Sequence, residues 1–295
     1  MAVAVDEITY LDAIREALAD ALREDDRVLL LGEDIGRFGG AFGVTKGLLE
    51  LFGRDRVIDT PISEEGFTGA AFGLAWMGER PVVELQFADF ATCAFDQIVT
   101  VGAKTHWRQG IRLPVVIRAP FGGGIRGGPF HASCPEGFFC GVPGLKVVCP
   151  ATAADAYGLL RSAIEDDDPV LFFEHKALYR RARGGRPEPT ARTPLGEARI
   201  ARPGRDLTVV AYGAMVAVAD ETHLSGRLRQ TQLHDERPHD GRGEHRRPAD
   251  GDARLERHVH GHVAGGASPA AYRTGIDEYT GTRRLQLVTD WVGKL

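Results

Sequence analysis

The sequence predicts an α/β chain built on a parallel sheet, and three observations carry that reading. Continuous apolar runs of strand length alternate with helix-period runs from Ile8 to Glu174. The strand-like runs, such as "VLLLG", lack polar alternation, as strands covered on both faces do. The stretches rich in acids and glycines follow those runs, at the carboxyl ends where parallel sheets gather their sites.

Taken in order, "ITYLDAIREALADALRED" puts Ile8, Leu11, Ile14, Leu18 and Leu22 on one helical face. The strand "VLLLGED" follows. Further strands are expected over Arg56–Asp59, Pro81–Phe87, Leu113–Ala119, Leu145–Cys149 and Pro169–Glu174. Helices are expected over Thr45–Phe52, Glu64–Met77, Phe90–Trp107 and Thr152–Glu165. Residues 1–179 thus form one domain. "RRARGGRPEPTARTP", residues 180–194, has no periodicity and reads as a linker. A second domain opens over 195–216 with the buried-strand pattern "DLTVVAYGAMV".

The character then changes. Between Ala219 and Gly275 the large apolar residues are Leu224, Leu228, Leu233, Leu255, Val259, Val263 and Tyr272, and seven of the ten histidines lie here. Such a composition buries too little apolar surface to offset its ordering entropy, so residues 217–295 are expected to be a disordered or poorly folded tail. A domain that opens on a core strand and then loses its core is inconsistent across levels. A shifted reading frame in a GC-rich gene is one explanation. A native disordered tail and a metal tract at "HVHGH" are the others.

The chain has 295 residues, 43% hydrophobic and 26% charged, with a formal net charge of −5. That balance carries no nucleic-acid footprint. "MAVAVDEITY" lacks the basic and apolar regions of a signal peptide, and no apolar run is of membrane length. Cys93, Cys134, Cys140 and Cys149 form no CxxC pair and are expected to be reduced, several of them core filler, in a cytoplasmic protein.

Three constellations can carry chemistry. In "DTPISEEGFTGAAFG", Ser63 can cap a helix whose first turn holds Glu64 and Glu65. Acids there commonly do no more than complement the dipole. Gly66, Gly69, Ala70 and Gly73, however, leave a helix face open to another backbone or a flat ligand. A carboxylate beside apolar neighbours has a raised pKa suited to proton exchange. The second is the glycine-rich loop "APFGGGIRGGPFHASCPEGFF", with His131 as its one histidine and Arg118 and Arg126 as candidates for a substrate carboxylate. The third is "IEDDDP", three aspartates at a helix C-terminus, where a solvated turn or a bound cation would relieve the repulsion.

Together, "LLGEDIGRFGGAFGVTKGLLELFGRDRVIDTPISEEGFTGAAFGLAWMGERPVVELQFADF" and "IRGGPFHASCPEGFFCGVPGLKVVCPATAADAYGLLRSAIEDDDPVLFFEHKALYR" resemble the β subunits of thiamine-diphosphate-dependent 2-oxoacid dehydrogenases, the pyruvate and branched-chain decarboxylating components. The resemblance runs from about Ile8 to Val216. It implies a transketolase-like pyrimidine-binding domain, here followed by an incomplete transketolase C-terminal-like domain. It also implies an α2β2 heterotetramer with thiamine diphosphate at the α–β interface, its magnesium held mainly by α. Glu64, in the family's "DTPISE" motif, is then the acid that bonds the aminopyrimidine nitrogen and exchanges a proton with it. Phe90 packs on that ring. His131 assists substrate binding and acyl transfer to the lipoyl arm of a dihydrolipoyl acyltransferase. Val115, Ala163, Ile164, Asp166 and Asp168 match a potassium site, the first three through their carbonyls. The implied reaction is oxidative decarboxylation of pyruvate or a branched-chain 2-oxoacid. An acetoin dehydrogenase β subunit and a non-catalytic, truncated or frame-shifted remnant are the alternatives. Two departures stand out: Ala132-Ser133 replaces the family's Ser-Gln after the histidine, and the family's later segments are absent beyond about Ala217.

Overall fold

The computed structural model describes residues 6–204, 208–224, 258–260, 271–273 and 286–289. Strand β1 (Glu7–Thr9) leads into helix α1 (Tyr10–Glu24), whose N-cap Thr9 accepts a hydrogen bond from the Asp12 amide at 3.0 Å. There follow β2 (Val28–Gly32), α2 (Leu48–Phe52), β3 (Val57–Asp59), α3 (Glu64–Trp76) and β4 (Arg80–Glu84). A 3₁₀ turn (Ala88–Thr92) and a π-helix (Gln97–Ala103) run into α4 (Lys104–Gln109). Then come β5 (Val116–Phe121), β6 (Lys146–Val148), α5 (Ala153–Glu165), β7 (Val170–His175), α6 (Leu178–Arg181) and β8 (Arg183–Gly185).

Six strands form one sheet in the order β3-β2-β4-β5-β7-β6, and every pairing is parallel. The α/β, parallel-sheet expectation is met. The reason is visible along each strand: in β7, Val170 and Phe172 join the core under α1 and α5, while Leu171 and Phe173 join the core under α3 and the π-helix. Both faces are covered, so both residue parities are apolar. The capping box of α5, Thr152 with Asp155, sets its start where the sequence placed it.

Some boundaries differ. The helix expected over Thr45–Phe52 begins only at Leu48, because Gly47 is left-handed (φ 85°) and Thr45 Oγ1 donates to the Ile35 carbonyl at 2.6 Å. The single helix expected over Phe90–Trp107 is three pieces. Its buried Ile98, Val99, Gly102 and Ala103 satisfy a π turn as readily as an α turn, so periodicity does not separate the two. Within the 180–194 stretch, β8 pairs antiparallel with β1. The cysteines are free, but only Cys149 is buried, so one of the four is core filler.

Beyond the sheet, β9 (Arg199–Pro203), β10 (Val209–Val210) and α7 (Met215–Leu224) are joined by short later strands β11 (His258–His260), β12 (Ala271–Arg273) and β13 (Gln286–Thr289). β13 lies between β10 and β9, and β11 pairs with β12. Most of the 217–295 tail, including His262 of "HVHGH", lies outside the described residues. Among the described residues no helix is long and apolar enough to cross a membrane.

Candidate active site at the carboxyl edge of the sheet

The carboxyl ends of β2, β3, β4 and β5 bring the first two constellations to one edge. Asp59 ends β3, and its carboxylate accepts the Gly36 amide at 2.6 Å and the Arg37 amide at 3.3 Å. That ties the loop after β2 to the start of "DTPISE". Glu64 then opens α3, half-buried, and its carboxylate has no hydrogen bond or ion pair among the described residues. Ser63 occupies the N-cap position, but its side chain makes no capping bond. The expected cap is absent, and the Ser63 amide instead donates to the carboxylate of Glu33, just after β2.

Glu33 is the residue that sequence reasoning missed. It is 4% exposed, and its Oε1 is buried without a partner. Burial first, then the charges of Glu64 and Asp34, push its pKa above the usual carboxylate range. The signal was a second acid, in "LLGED", ending a strand that the sequence already read as buried; only the β2–β3 pairing sets it beside Glu64. The folded chain holds the Glu33 proton longer than the unfolded chain does, so this group's contribution falls as pH rises from the ordinary carboxylate range through its raised pKa. Glu33→Gln is therefore expected to match the wild type near pH 4 and to be more stable at pH 7. The gain should be about 1 kcal/mol, the order of one relieved unpaired buried group. Paired thermal melts across that range check it, and a loss of stability at pH 7 would overturn it.

An aromatic wall completes the edge. Phe87 meets His131 edge-on at 4.6 Å between ring centroids, Phe90 meets His131 at 5.8 Å, and Phe87 meets Phe90 at 5.8 Å. The His131 loop is clamped from below: Asp89 Oδ1 accepts both the Ser133 hydroxyl and the Ser133 amide, the latter at 3.2 Å. Ser133, in the triplet that departs from the family pattern, thus keeps a hydrogen-bonding role. Around this edge Phe38, Ile62 and Phe130 are exposed, Ile62 by 84% and Phe130 by 75%. Large apolar side chains left in water commonly mark an interaction surface.

Arg118 takes no part in it. The side chain is 1% exposed and lies inside the sheet, bound to Glu174 through Nε at 2.6 Å and Nη2 at 2.9 Å and to Glu84 through Nη1 at 2.5 Å. The substrate-carboxylate expectation is corrected for this residue: two buried acids already use its donors. Arg126, left-handed at φ 59°, is exposed on the glycine loop. The small face of α3 is also partly filled, since a Cβ at Gly69 would come within 2.9 Å of Gln97 Oε1 on the π-helix; Gly73 faces open space.

The aspartate turn lies apart, at the amino-terminal side of β7. Lys146 Nζ bridges Asp166 at 2.6 Å and Asp168 at 2.8 Å, and His106 Nε2 lies 2.8 Å from Asp168. Arg80 Nη1 donates to the carbonyls of Ile164 (2.9 Å) and Asp166 (3.1 Å). The Val115 carbonyl accepts the Val170 amide at 2.9 Å. Val115, Ala163 and Ile164 are all buried. The protein's own cations therefore answer the repulsion that the sequence suggested a bound ion would answer. Among the described residues no group of three His, Cys, Asp or Glu side chains has metal-binding geometry.

Residues 6–182 match the family described as "Transketolase, pyrimidine binding domain". The 2-oxoisovalerate dehydrogenase subunit beta of Bacillus subtilis (strain 168) is 46% identical over 72% of this chain and 65% of its own length. The pyruvate dehydrogenase E1 component subunit beta of the same bacterium is 46% identical over 75% of this chain and 70% of its own length. The chain belongs to the β subunits of the 2-oxoacid dehydrogenases. An acetoin:2,6-dichlorophenolindophenol oxidoreductase subunit beta, also from Bacillus subtilis, is 45% identical over 72% of this chain and 66% of its own length. Among solved structures, a "Split gene transketolase, inactive beta4 tetramer" matches with a TM-score of 0.59 and 25% identity, covering 74% of this chain and 68% of that one. The chain spans 65% of the first of these β subunits. The residue types at this edge, a half-buried carboxylate without a hydrogen bond or ion pair among the described residues and an aromatic ring at Phe90, are compatible with an aminopyrimidine.

Proposed function

We propose that this chain is the β half of a 2-oxoacid dehydrogenase decarboxylating component, acting with an α subunit in an α2β2 assembly. The observation that carries the proposal is Glu64: half-buried, without a hydrogen bond or ion pair among the described residues, electrostatically coupled to the buried acid Glu33, and on one sheet edge with Phe90 and His131. The exposed apolar rim supports a partner subunit, because covering Ile62 and Phe130 would exclude water from that edge.

Glu64 and Phe90 would hold the aminopyrimidine of thiamine diphosphate, with magnesium and diphosphate held mainly by α. The bound cofactor supplies the electron sink for loss of carbon dioxide from a 2-oxoacid. Glu64 gives and takes a proton at its carboxyl oxygen, and its charge adds to the burial that raises the pKa of the neighbouring Glu33. His131, on a loop held by Asp89, binds substrate and assists acyl transfer to the lipoyl arm of a dihydrolipoyl acyltransferase. The substrate is pyruvate or a branched-chain 2-oxoacid, and the location is the cytoplasm. Potassium at Val115, Ala163, Ile164, Asp166 and Asp168 rests on the resemblance alone, and binding there would have to displace Arg80 and Lys146 from the Ile164 carbonyl and the two aspartates. Replacing potassium by choline is expected to lower the melting temperature by a few degrees, about 1 kcal/mol in a domain of this size. An unchanged melt would remove the ion from the reading.

A second reading has its own observation. The scarcity of large apolar residues between Ala219 and Gly275 favours a non-catalytic remnant. Co-expression with the α subunit of a 2-oxoacid dehydrogenase, followed by size measurement and decarboxylation assays on pyruvate, 2-oxoisovalerate and acetoin, separates the readings. Turnover of one substrate by a stable α–β complex supports the first. A chain that never joins α supports the remnant, and another frame of the coding DNA that restores strand–helix alternation would explain it.

A further inference from the structure

Lys176 follows β7 and is 3% exposed. Its ammonium donates to the Pro120 carbonyl at 3.2 Å, its one hydrogen-bond acceptor among the described residues, and lies 5.5 Å from the centroid of the Phe87 ring. Phe87 is the ring that meets His131 edge-on at 4.6 Å. Lys176 also interacts electrostatically with Asp89, the carboxylate that clamps Ser133. One buried cation therefore touches both restraints on the histidine loop: the aromatic floor through cation–π attraction, and the carboxylate clamp through charge. Asp89 Oδ2 is buried without a hydrogen-bond partner, so the nearby positive charge is what offsets its burial.

We propose that Lys176 is a positioning residue whose positive charge holds the His131 loop in its site geometry. The role in catalysis rests on the function proposed above; the control of the loop does not. A lysine this poor in acceptors keeps its charge weakly. Burial lowers its pKa to about 8, against the opposing pull of Asp89 and Cys134. The other groups facing it are silent in that range or separable. Burial and the Lys176 charge hold His175 down at about 4, and desolvation and Glu136 push Cys134 up to about 12. His131 itself faces Lys176 only across Phe87. The charge is thus present below about pH 8 and lost above it, and the loop restraint should follow.

The test is amide hydrogen exchange on the full chain. The reporters are the Ser133 amide, bound to Asp89, and the Gly122 amide, which donates to the Ser133 carbonyl at 3.0 Å. After correction for intrinsic exchange, wild-type protection of these amides should fall about tenfold between pH 7 and pH 9.5, the scale of titrating one coupled group. Lys176→Met should show the reduced protection already at pH 7, with no further change. Lys176→Arg should keep full protection through pH 9.5. Wild-type protection in Lys176→Met, or an alkaline loss that persists in Lys176→Arg, would overturn the proposal. If Lys176→Met does not fold, the comparison of wild type with Lys176→Arg still decides. An α–β complex without turnover would count against the enzyme reading and leave this measurement unaffected.

Discussion

Glu64→Gln, in the assembled α–β complex, is expected to lower kcat by about 10²–10⁴-fold, the range a positioned proton-transfer group supplies. The substitution keeps the size of the side chain and its place in the first turn of α3. It removes the exchangeable carboxyl proton. Glu64 has no intrachain partner among the described residues and is only half-buried, so the isolated chain should lose little stability. Assembly, read by size, should be unchanged. The neighbour supplies a second readout. The Glu64 charge is the second cause, after burial, of the raised Glu33 pKa, so its removal should bring the Glu33 titration down. Turnover near the wild-type rate in a complex of normal size would show that the proton passes elsewhere. Loss of assembly would make Glu64 a contact residue instead.

The second large effect is on folding. Arg118→Met is expected to cost about 3–5 kcal/mol, because it leaves two buried carboxylates facing each other without a cation. Glu84 is 4% exposed and Glu174 is fully buried, and the Tyr179 hydroxyl donates to Glu174 at 2.7 Å. Burial raises the Glu84 pKa even with the guanidinium present. Without it, Glu84 would be held protonated more strongly still, so the loss should shrink as pH falls. Denaturant unfolding at pH 7 and pH 5 reads both statements. A cycle that adds Glu84→Gln and Glu174→Gln to Arg118→Met should recover much of the loss. If Arg118→Met alone costs under 1 kcal/mol, the three-strand ion network is not what holds the centre of the sheet. Gly40 passes close over the network, since a Cβ there would lie 2.5 Å from Glu84 Oε1.

These two residues also mark what a sequence can carry. The place of Glu64 in the first turn of α3 was legible because its surroundings are local: a strand, a turn and a helix start within a few residues. Arg118 was misread because its partners are distant in sequence, at positions 84 and 174, and an arginine beside a glycine loop looks like a surface group until the strands are paired. Lys176 and Asp89 were passed over for the same reason.

The alternation of apolar runs, by itself, determined the parallel sheet, the helices on both of its faces and the edge where the loops gather, because hydrophobic periodicity is a local consequence of which faces are buried. The caps of α1 and α5 were equally local. Tertiary structure alone decided which acids meet. Parallel pairing of β2 with β3 sets Glu33 beside the Glu64 turn, and pairing of β4, β5 and β7 closes Glu84, Arg118 and Glu174 into one network. It also set Lys146 between Asp166 and Asp168. Charge interactions depend on distance and desolvation, and both come into being only when segments far apart in the chain are packed together.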